Sequence, residues 1–130
     1  MKSWRAVAIL TLTLFLRGSA RPQSLLQKAD KVAEKRNNPS GQDEGAAMAG
    51  GKLFHRECAG CHGEGGMGNG RGHTPTLASS LVRQANPGTL FWILRNGSAT
   101  HRMPSFAQLP EQERWQIIRY LQRGTHDAVR

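Results

Sequence analysis

The stretch Cys58-Ala59-Gly60-Cys61-His62 decides how this sequence is interpreted, because it contains both cysteines of the 130-residue chain. Two cysteines are too few for a framework of several disulfides, so the chain is not a disulfide-rich secreted scaffold. Basic residues number 18 against 9 acidic ones, and apolar residues make up 38% of the sequence. Without collagen-like or heptad repeats and without long apolar runs, collagenous, coiled-coil and multi-pass membrane classes are excluded as well. A small basic globular protein remains, with few apolar residues for its core.

Several kinds of chemistry compete for this five-residue motif. C-x-x-C-H is the attachment signature of haem c, in which two thiols on one helical turn add to the two vinyl groups and the adjacent histidine binds iron. A thioredoxin-like pair needs a βαβ context that the sequence lacks, and a disulfide would close too short a loop to constrain the chain. A zinc site needs a fourth ligand, for which His55 or His73 is available, but the ligand set lacks a second closely spaced pair. We therefore predict one haem c bound through Cys58 and Cys61, with His62 as proximal iron ligand.

The second axial ligand is sought among the remaining methionine and histidine residues. Met67 lies in the glycine-rich stretch just after the motif, and Met48 lies on a predicted helix where core packing explains it. Met103 lies in a predicted loop and is followed by Pro104, which restricts its backbone to extended geometry. A loop methionine fixed in this way favours the ligand role, with His101 as its rival.

The rest of the sequence predicts an all-α domain. No stretch alternates with a period of two, so strands are not expected. Helical periodicity and end signals predict about four short helices. The first begins at residues 43–44, and the others cover residues 79–85, 89–96 and 110–123. On the first helix, one face is predicted to be shared by Ala46, Ala47, Gly50, Leu53 and Phe54. On the last helix, Trp115, Ile118 and Leu121 repeat on one face, which predicts that this face is buried.

Residues 1–20 have the features of a cleaved signal peptide. Lys2 and Arg5 precede an apolar run over residues 6–16, and small residues follow at the usual cleavage spacing. That run is too short to span a bilayer, so no membrane span is expected after cleavage. Cleavage removes three basic residues and no acidic one, which lowers the formal charge from +9 to +6. We expect export to the periplasm.

The sequence thus divides into a signal peptide (1–20), a polar extension or linker (21–43), one domain (44–124) and a tail (125–130). Within the extension, a short amphipathic helical pattern is formed by Leu25, Leu26, Ala29 and Val32. Two interpretations are open for this segment: a half-ordered extension, or a docking helix for a partner protein.

From residue 44 to residue 124 the sequence resembles the class I, monohaem c-type cytochromes of the exported bacterial type. As in that family, Gly50 and Phe54 precede the first cysteine by eight and four residues, and an aromatic–leucine pair that begins at Tyr120 lies near the end of the last helix. The resemblance implies a cytochrome c-like fold around one covalently attached haem c. It also implies that the first and last helices cross at Gly50, with Phe54 against Ile117 and Tyr120.

The resemblance implies further site residues. The carbonyl of Pro75 would accept a hydrogen bond from the proximal imidazole of His62, which fixes the ring orientation. The Met103-Pro104 pair matches the family's distal loop, and Trp92 is a candidate partner of the haem propionates.

The function implied is electron transfer, in which the iron cycles between ferric and ferrous states while both axial ligands stay bound. Redox-partner proteins with acidic docking surfaces are expected, because a basic surface attracts them. Nucleic acid is not an expected partner, because an exported chain without a nucleic-acid motif gives no basis for it. The alternatives are a haem c subunit of a periplasmic dehydrogenase or oxidase, a peroxidase-like enzyme with an open sixth position and, more remotely, a zinc-binding module.

Overall fold

The structure is a computed structural model that describes residues 24–69 and 74–125. Its regular elements are α1 (Leu25–Val32), α2 (Glu44–Glu57), α3 (Ala59–His62), α4 (Ser80–Gln84), α5 (Pro87–Asn96) and α6 (Glu111–Arg123). The all-α prediction is confirmed, and α1 and the one-turn α3 are additional to the four predicted helices. The predicted signal peptide and nearly all of the predicted tail lie outside the described residues. No helix in the described part of the chain is both long enough and apolar enough to cross a bilayer.

Local side chains determine where the helices begin. The Asp43 carboxylate accepts a hydrogen bond from the backbone N–H of Ala46 at 3.1 Å and so caps α2. The side chain of Asn86 accepts from the Gly88 N–H at 2.9 Å and caps α5. α5 begins two residues earlier than predicted, because Pro87 occupies the first helical turn, where a missing N–H costs nothing.

Helices α2 and α6 form the centre of the core. A Cβ atom on Gly50 would lie 1.9 Å from the carbonyl oxygen of Gln116, so the two helices meet backbone to backbone at this glycine. The rings of Phe54 and Tyr120 lie 5.2 Å apart between centroids, and both residues are buried together with Ile117. The predicted crossing at Gly50 and the predicted contact between Phe54 and Tyr120 are confirmed.

The buried face of α2 corrects one prediction. Its buried residues are those predicted to share a face, Ala46, Ala47, Gly50, Leu53 and Phe54, together with Gly51. Met48, predicted to pack in the core, is 64% exposed. The helical period explains this, because position 48 projects away from the side of the helix that faces α6.

The predicted extension over residues 21–43 is, in its described part, packed onto the domain. Ala29 of α1 is fully buried. The Asp30 carboxylate accepts a hydrogen bond from the Thr89 hydroxyl of α5 at 2.8 Å. Of the apolar pattern of α1, Ala29 is covered by the domain and Val32 is 62% exposed, and the boundary before residue 44 stays a prediction.

Arg36 anchors the end of this segment, residues 24–36, which we call the N-terminal strap. Its guanidinium lies 5.0 Å from the ring centroid of Phe91 and 5.2 Å from that of Trp115. It also donates a hydrogen bond to the Glu111 carboxylate at 2.8 Å, which holds the pKa of Glu111 below its usual value. The strap is therefore tied to both α5 and α6.

Candidate functional site

The cysteine motif lies at the junction of α2 and α3. The N–H of Cys58 donates to the Phe54 carbonyl at 2.8 Å and closes α2, and the N–H of His62 donates to the Cys58 carbonyl at 2.9 Å and closes α3. Both thiols are free of disulfides, with Cys58 buried and Cys61 exposed. Two free thiols on one helical turn are available to attach a flat group at two points.

The described residues do not bring together a complete set of ligands for the zinc site that was considered as an alternative. Burial raises the pKa of the Cys58 thiol to about 11, so without a bound metal this thiol is protonated at neutral pH. Among residues 24–69 and 74–125, no group of three or more His, Cys, Asp or Glu side chains is placed to hold a metal ion. His73, a candidate zinc ligand, lies outside the described residues.

His62 has one ring nitrogen engaged by the backbone. Its Nδ1 lies 3.3 Å from the carbonyl oxygen of Pro75, the contact that the family resemblance implies. In the tautomer that donates from Nδ1, the lone pair of Nε2 is left for a metal. Burial lowers the pKa of His62, and the hydrogen bond to Pro75 opposes this in part. A buried neutral imidazole in a fixed orientation is suited to bind iron.

The methionines of the described chain differ sharply in burial. Met48 is 64% exposed and Met67 is 62% exposed. Met103 is partly buried and packs against the core cluster to which Cys58 belongs. His101, the rival ligand, is exposed and has a left-handed backbone with φ of 55°. Of these residues, Met103 is the one that packs against the core cluster to which Cys58 belongs.

The loop that carries Met103 is tied to the helices on both sides. The N–H of Phe106 donates to the Leu94 carbonyl of α5 at 2.8 Å. Arg114, a buried residue of α6, donates to the carbonyl oxygens of Phe106, Ala107 and Leu109. Arg114 is not among the residues predicted from the sequence, because no local pattern distinguishes an arginine that turns inward from one that stays in solvent.

Trp92 lies apart from the other predicted site residues. It lines a surface cleft of about 300 Å³ between the N-terminal strap and α5, together with Val32, Arg36 and Arg95. The lining of this cleft includes neither the cysteine motif nor Met103. The structure therefore brings Trp92 to the strap and does not show it beside the motif.

The donor set fits a haem c. The chain offers two unbridged thiols, one buried imidazole with a free nitrogen and one partly buried thioether. This is the combination of attachment points and axial ligands that His/Met-ligated haem c requires. Of these residues, Cys58 belongs to the core cluster and Met103 packs against it.

Comparisons with known proteins agree with this interpretation. The model of the family described as cytochrome c oxidase, cbb3-type, subunit III matches residues 45–121. A solved structure similar to this one is cytochrome cL from the marine methylotrophic bacterium Methylophaga aminisulfidivorans MPT, with a TM-score of 0.56. The sequences are 22% identical, and the match covers 83% of this chain and 71% of the other, which shows a shared fold. A search of curated proteins finds no significant match.

Proposed function

Because this chain belongs to the family of cbb3-type cytochrome c oxidase subunit III, we propose that it is an exported electron-transfer protein whose single haem c is held between His62 and Met103. The family and the fold establish a monohaem c-type cytochrome with covalently attached haem c and a role in haem-based electron transfer. To this we add the axial ligands, the export and the class of partner.

Cys58 and Cys61 are the proposed attachment points. Each thiol S–H would add across one vinyl C=C bond, with sulfur bonding to one carbon and hydrogen to the other, so no oxidant or reductant would be consumed. Support comes from the free state of both thiols and from their placement on one helical turn. When bound, haem c supplies an iron that changes between the ferric and ferrous states.

His62 is the proposed proximal ligand, and Pro75 is proposed to orient it. The contact of 3.3 Å between Nδ1 and the Pro75 carbonyl fixes the plane of the ring and leaves Nε2 for the iron. A hydrogen bond at Nδ1 also raises the basicity of Nε2, which strengthens it as a ligand.

Met103 is the proposed distal ligand, and its burial is the observation that carries this proposal. The two other methionines of the described chain are more than three-fifths exposed, whereas Met103 packs against the core. A thioether is a soft ligand that favours ferrous iron, whereas a second imidazole in its place would lower the reduction potential. The role of Trp92 toward the haem propionates stays a prediction.

Redox-partner proteins are the expected partners. The chain left after the proposed cleavage has a formal charge of +6, which attracts acidic docking surfaces and repels basic ones. Association with such partners should slow as the salt concentration rises. Export rests on the proposed signal peptide, and a protein recovered from the periplasm should begin near residue 21.

A second candidate is a haem c subunit bound within an oxidase or dehydrogenase. The description of the matching family, subunit III of a cbb3-type oxidase, favours it. The haem coordination is the same in both cases, so the two differ only in whether the protein is recovered free or with other chains. Size-exclusion chromatography of the native protein in low salt separates them.

Carbon monoxide tests the proposed coordination. With both axial positions filled by protein ligands, the reduced native holoprotein should bind carbon monoxide slowly or not at all. Met103→Ala, which opens the distal position, should bind it rapidly. Rapid binding by the native protein would instead support the peroxidase-like alternative with an open sixth position. A covalent pyridine haemochrome measured on the same sample confirms that haem c is attached.

A further inference from the structure

The loop that contains Met103 is closed on itself by one residue, Ser98. The backbone N–H of Met103 donates to the Ser98 Oγ at 3.1 Å. In the opposite direction, the backbone N–H of Ser98 donates to the Met103 carbonyl oxygen at 3.0 Å. Both backbone polar groups of Met103 are therefore paired with the same residue, which makes a closed ring of residues 98–103.

The residue before Ser98 brings the two ends of this ring together. Gly97 ends α5 with φ of 69°, and a Cβ atom there would lie 2.5 Å from the Met103 carbonyl oxygen. Only glycine allows this positive φ and this close approach at no cost. The N–H of Gly97 donates to the Ile93 carbonyl at 2.7 Å, so the ring is attached directly to the end of α5.

Inside the ring, Ser98 also fixes the turn that carries His101. The N–H of His101 donates to the Ser98 carbonyl at 2.9 Å, and His101 is exposed with φ of 55°. The Ser98 and Thr100 hydroxyls lie 3.3 Å apart, which gives the Ser98 hydroxyl a second polar contact inside the ring. Ser98 thus contacts both Thr100, which precedes His101, and Met103, which follows it. Met103 itself packs against the core.

We propose that the Ser98 hydroxyl is a positioning group that holds Met103 on the iron and resists its displacement by other ligands. This rests on the proposed function, in which Met103 is the distal ligand. A foreign ligand can take the distal position only after Met103 moves away, and that movement requires the ring to open. The hydrogen bond from Met103 N–H to Ser98 Oγ must break in the opened loop, so its loss in a variant makes opening easier.

Imidazole binding to the ferric holoprotein measures this opening. Ser98→Ala removes the acceptor for the Met103 N–H and should tighten imidazole binding about fivefold, the factor expected for one neutral hydrogen bond. Ser79→Ala is the matched control, because the Ser79 hydroxyl also accepts a hydrogen bond from a backbone N–H, that of Val82 at 3.3 Å, but lies at the start of α4 and outside the Met103 loop. This control should leave the imidazole affinity unchanged even if its melting temperature falls.

A second pair of variants covers the case in which Ser98→Ala yields no holoprotein. Ser98→Thr and Ser98→Val have nearly the same shape, and only the threonine keeps the hydroxyl. We expect the valine variant to bind imidazole about fivefold more tightly than the threonine variant. Equal affinities in the two variants, or an unchanged affinity in Ser98→Ala, would overturn the role of Ser98.

The ferric spectrum separates the positioning role of Ser98 from the proposed ligation by Met103. Before imidazole is added, the weak far-red charge-transfer band of Met-ligated ferric haem reports whether a methionine is bound at all. A native protein without this band contradicts Met103 ligation itself. If the native protein shows the band but its Ser98 variants bind imidazole no more tightly than the native chain, only the positioning role is contradicted.

Discussion

The cysteine motif at residues 58–62 and the Met103 loop at residues 97–106 carry the two proposed iron ligands, and they are built from different kinds of contact. The backbone hydrogen bonds that shape the motif join residues three or four positions apart, such as the bond from His62 to Cys58. The Met103 loop is irregular and is fixed by α5 at one side and by Arg114 of α6 at the other.

This difference determines how each region responds to change. The motif is stabilised by its own helical turn and, in the holoprotein, by covalent attachment, so the proximal ligand stays in place when distant contacts are lost. The loop is closed by Ser98, but it is held against the helices by contacts that form only when α5 and α6 are packed. We therefore expect the distal ligand to be the weaker of the two and the first to be displaced.

We expect the largest effect on stability at Gly50, where α2 and α6 cross backbone to backbone. Gly50→Ala places a Cβ atom 1.9 Å from the Gln116 carbonyl oxygen and should lower the free energy of unfolding by about 3 kcal/mol. Gly60→Ala, inside the motif, is the matched control, because a Cβ atom there meets nothing within 4 Å. Equal stability of the two variants in urea titrations would contradict the backbone contact between α2 and α6.

An intermediate effect is expected at the anchor of the Met103 loop. Arg114→Met keeps a long apolar stem but removes the donors to three loop carbonyls, and should cost about 2 kcal/mol of stability. It should also speed the binding of carbon monoxide, because the loop is less tightly held. Arg123→Met, which removes only a surface ion pair with Glu44, is the control and should change neither measurement by much. If both variants behave alike, the loop does not depend on α6.

The smallest effect is expected at the strap, which contacts neither proposed ligand directly. Arg36→Ala removes stacking on Phe91 and Trp115 and should cost about 1 kcal/mol near neutral pH. Lys35→Ala, at the neighbouring exposed position, should be neutral. The reduction potential should stay unchanged in both, and a potential that moves in Arg36→Ala would show that the strap reaches the haem environment.

The effect of Arg36→Ala should also depend on pH. Arg36 lowers the pKa of Glu111 below its usual value of 4.5, so this part of the stabilisation is present above that value and is lost as the pH falls through the lowered pKa. The stability difference between the native chain and the variant should therefore narrow in acid, and the stacking part should remain. A difference that is constant from pH 7 to pH 3 would exclude a contribution from the carboxylate.

What could be predicted from the sequence follows the same division. The motif, the faces of α2 and α6 and the crossing at Gly50 are local patterns or family spacings, and the structure agrees with them. The docking of the strap rests on a hydrogen bond between Asp30 and Thr89, which are 59 positions apart, and no local periodicity encodes such a pair. The roles of Ser98 and Arg114 could not be predicted either, because they depend on the path that the irregular Met103 loop takes in the folded chain.

The ferric spectrum of Met103→Ala tests whether Met103 is the distal ligand. The native holoprotein should show the weak far-red charge-transfer band of Met-ligated haem, and Met103→Ala should lose it while keeping covalent haem. Met48→Ala and Met67→Ala, which alter the exposed methionines, should retain the band. Persistence of the band in Met103→Ala, or its loss in either control, would contradict the assignment of Met103 as the distal ligand.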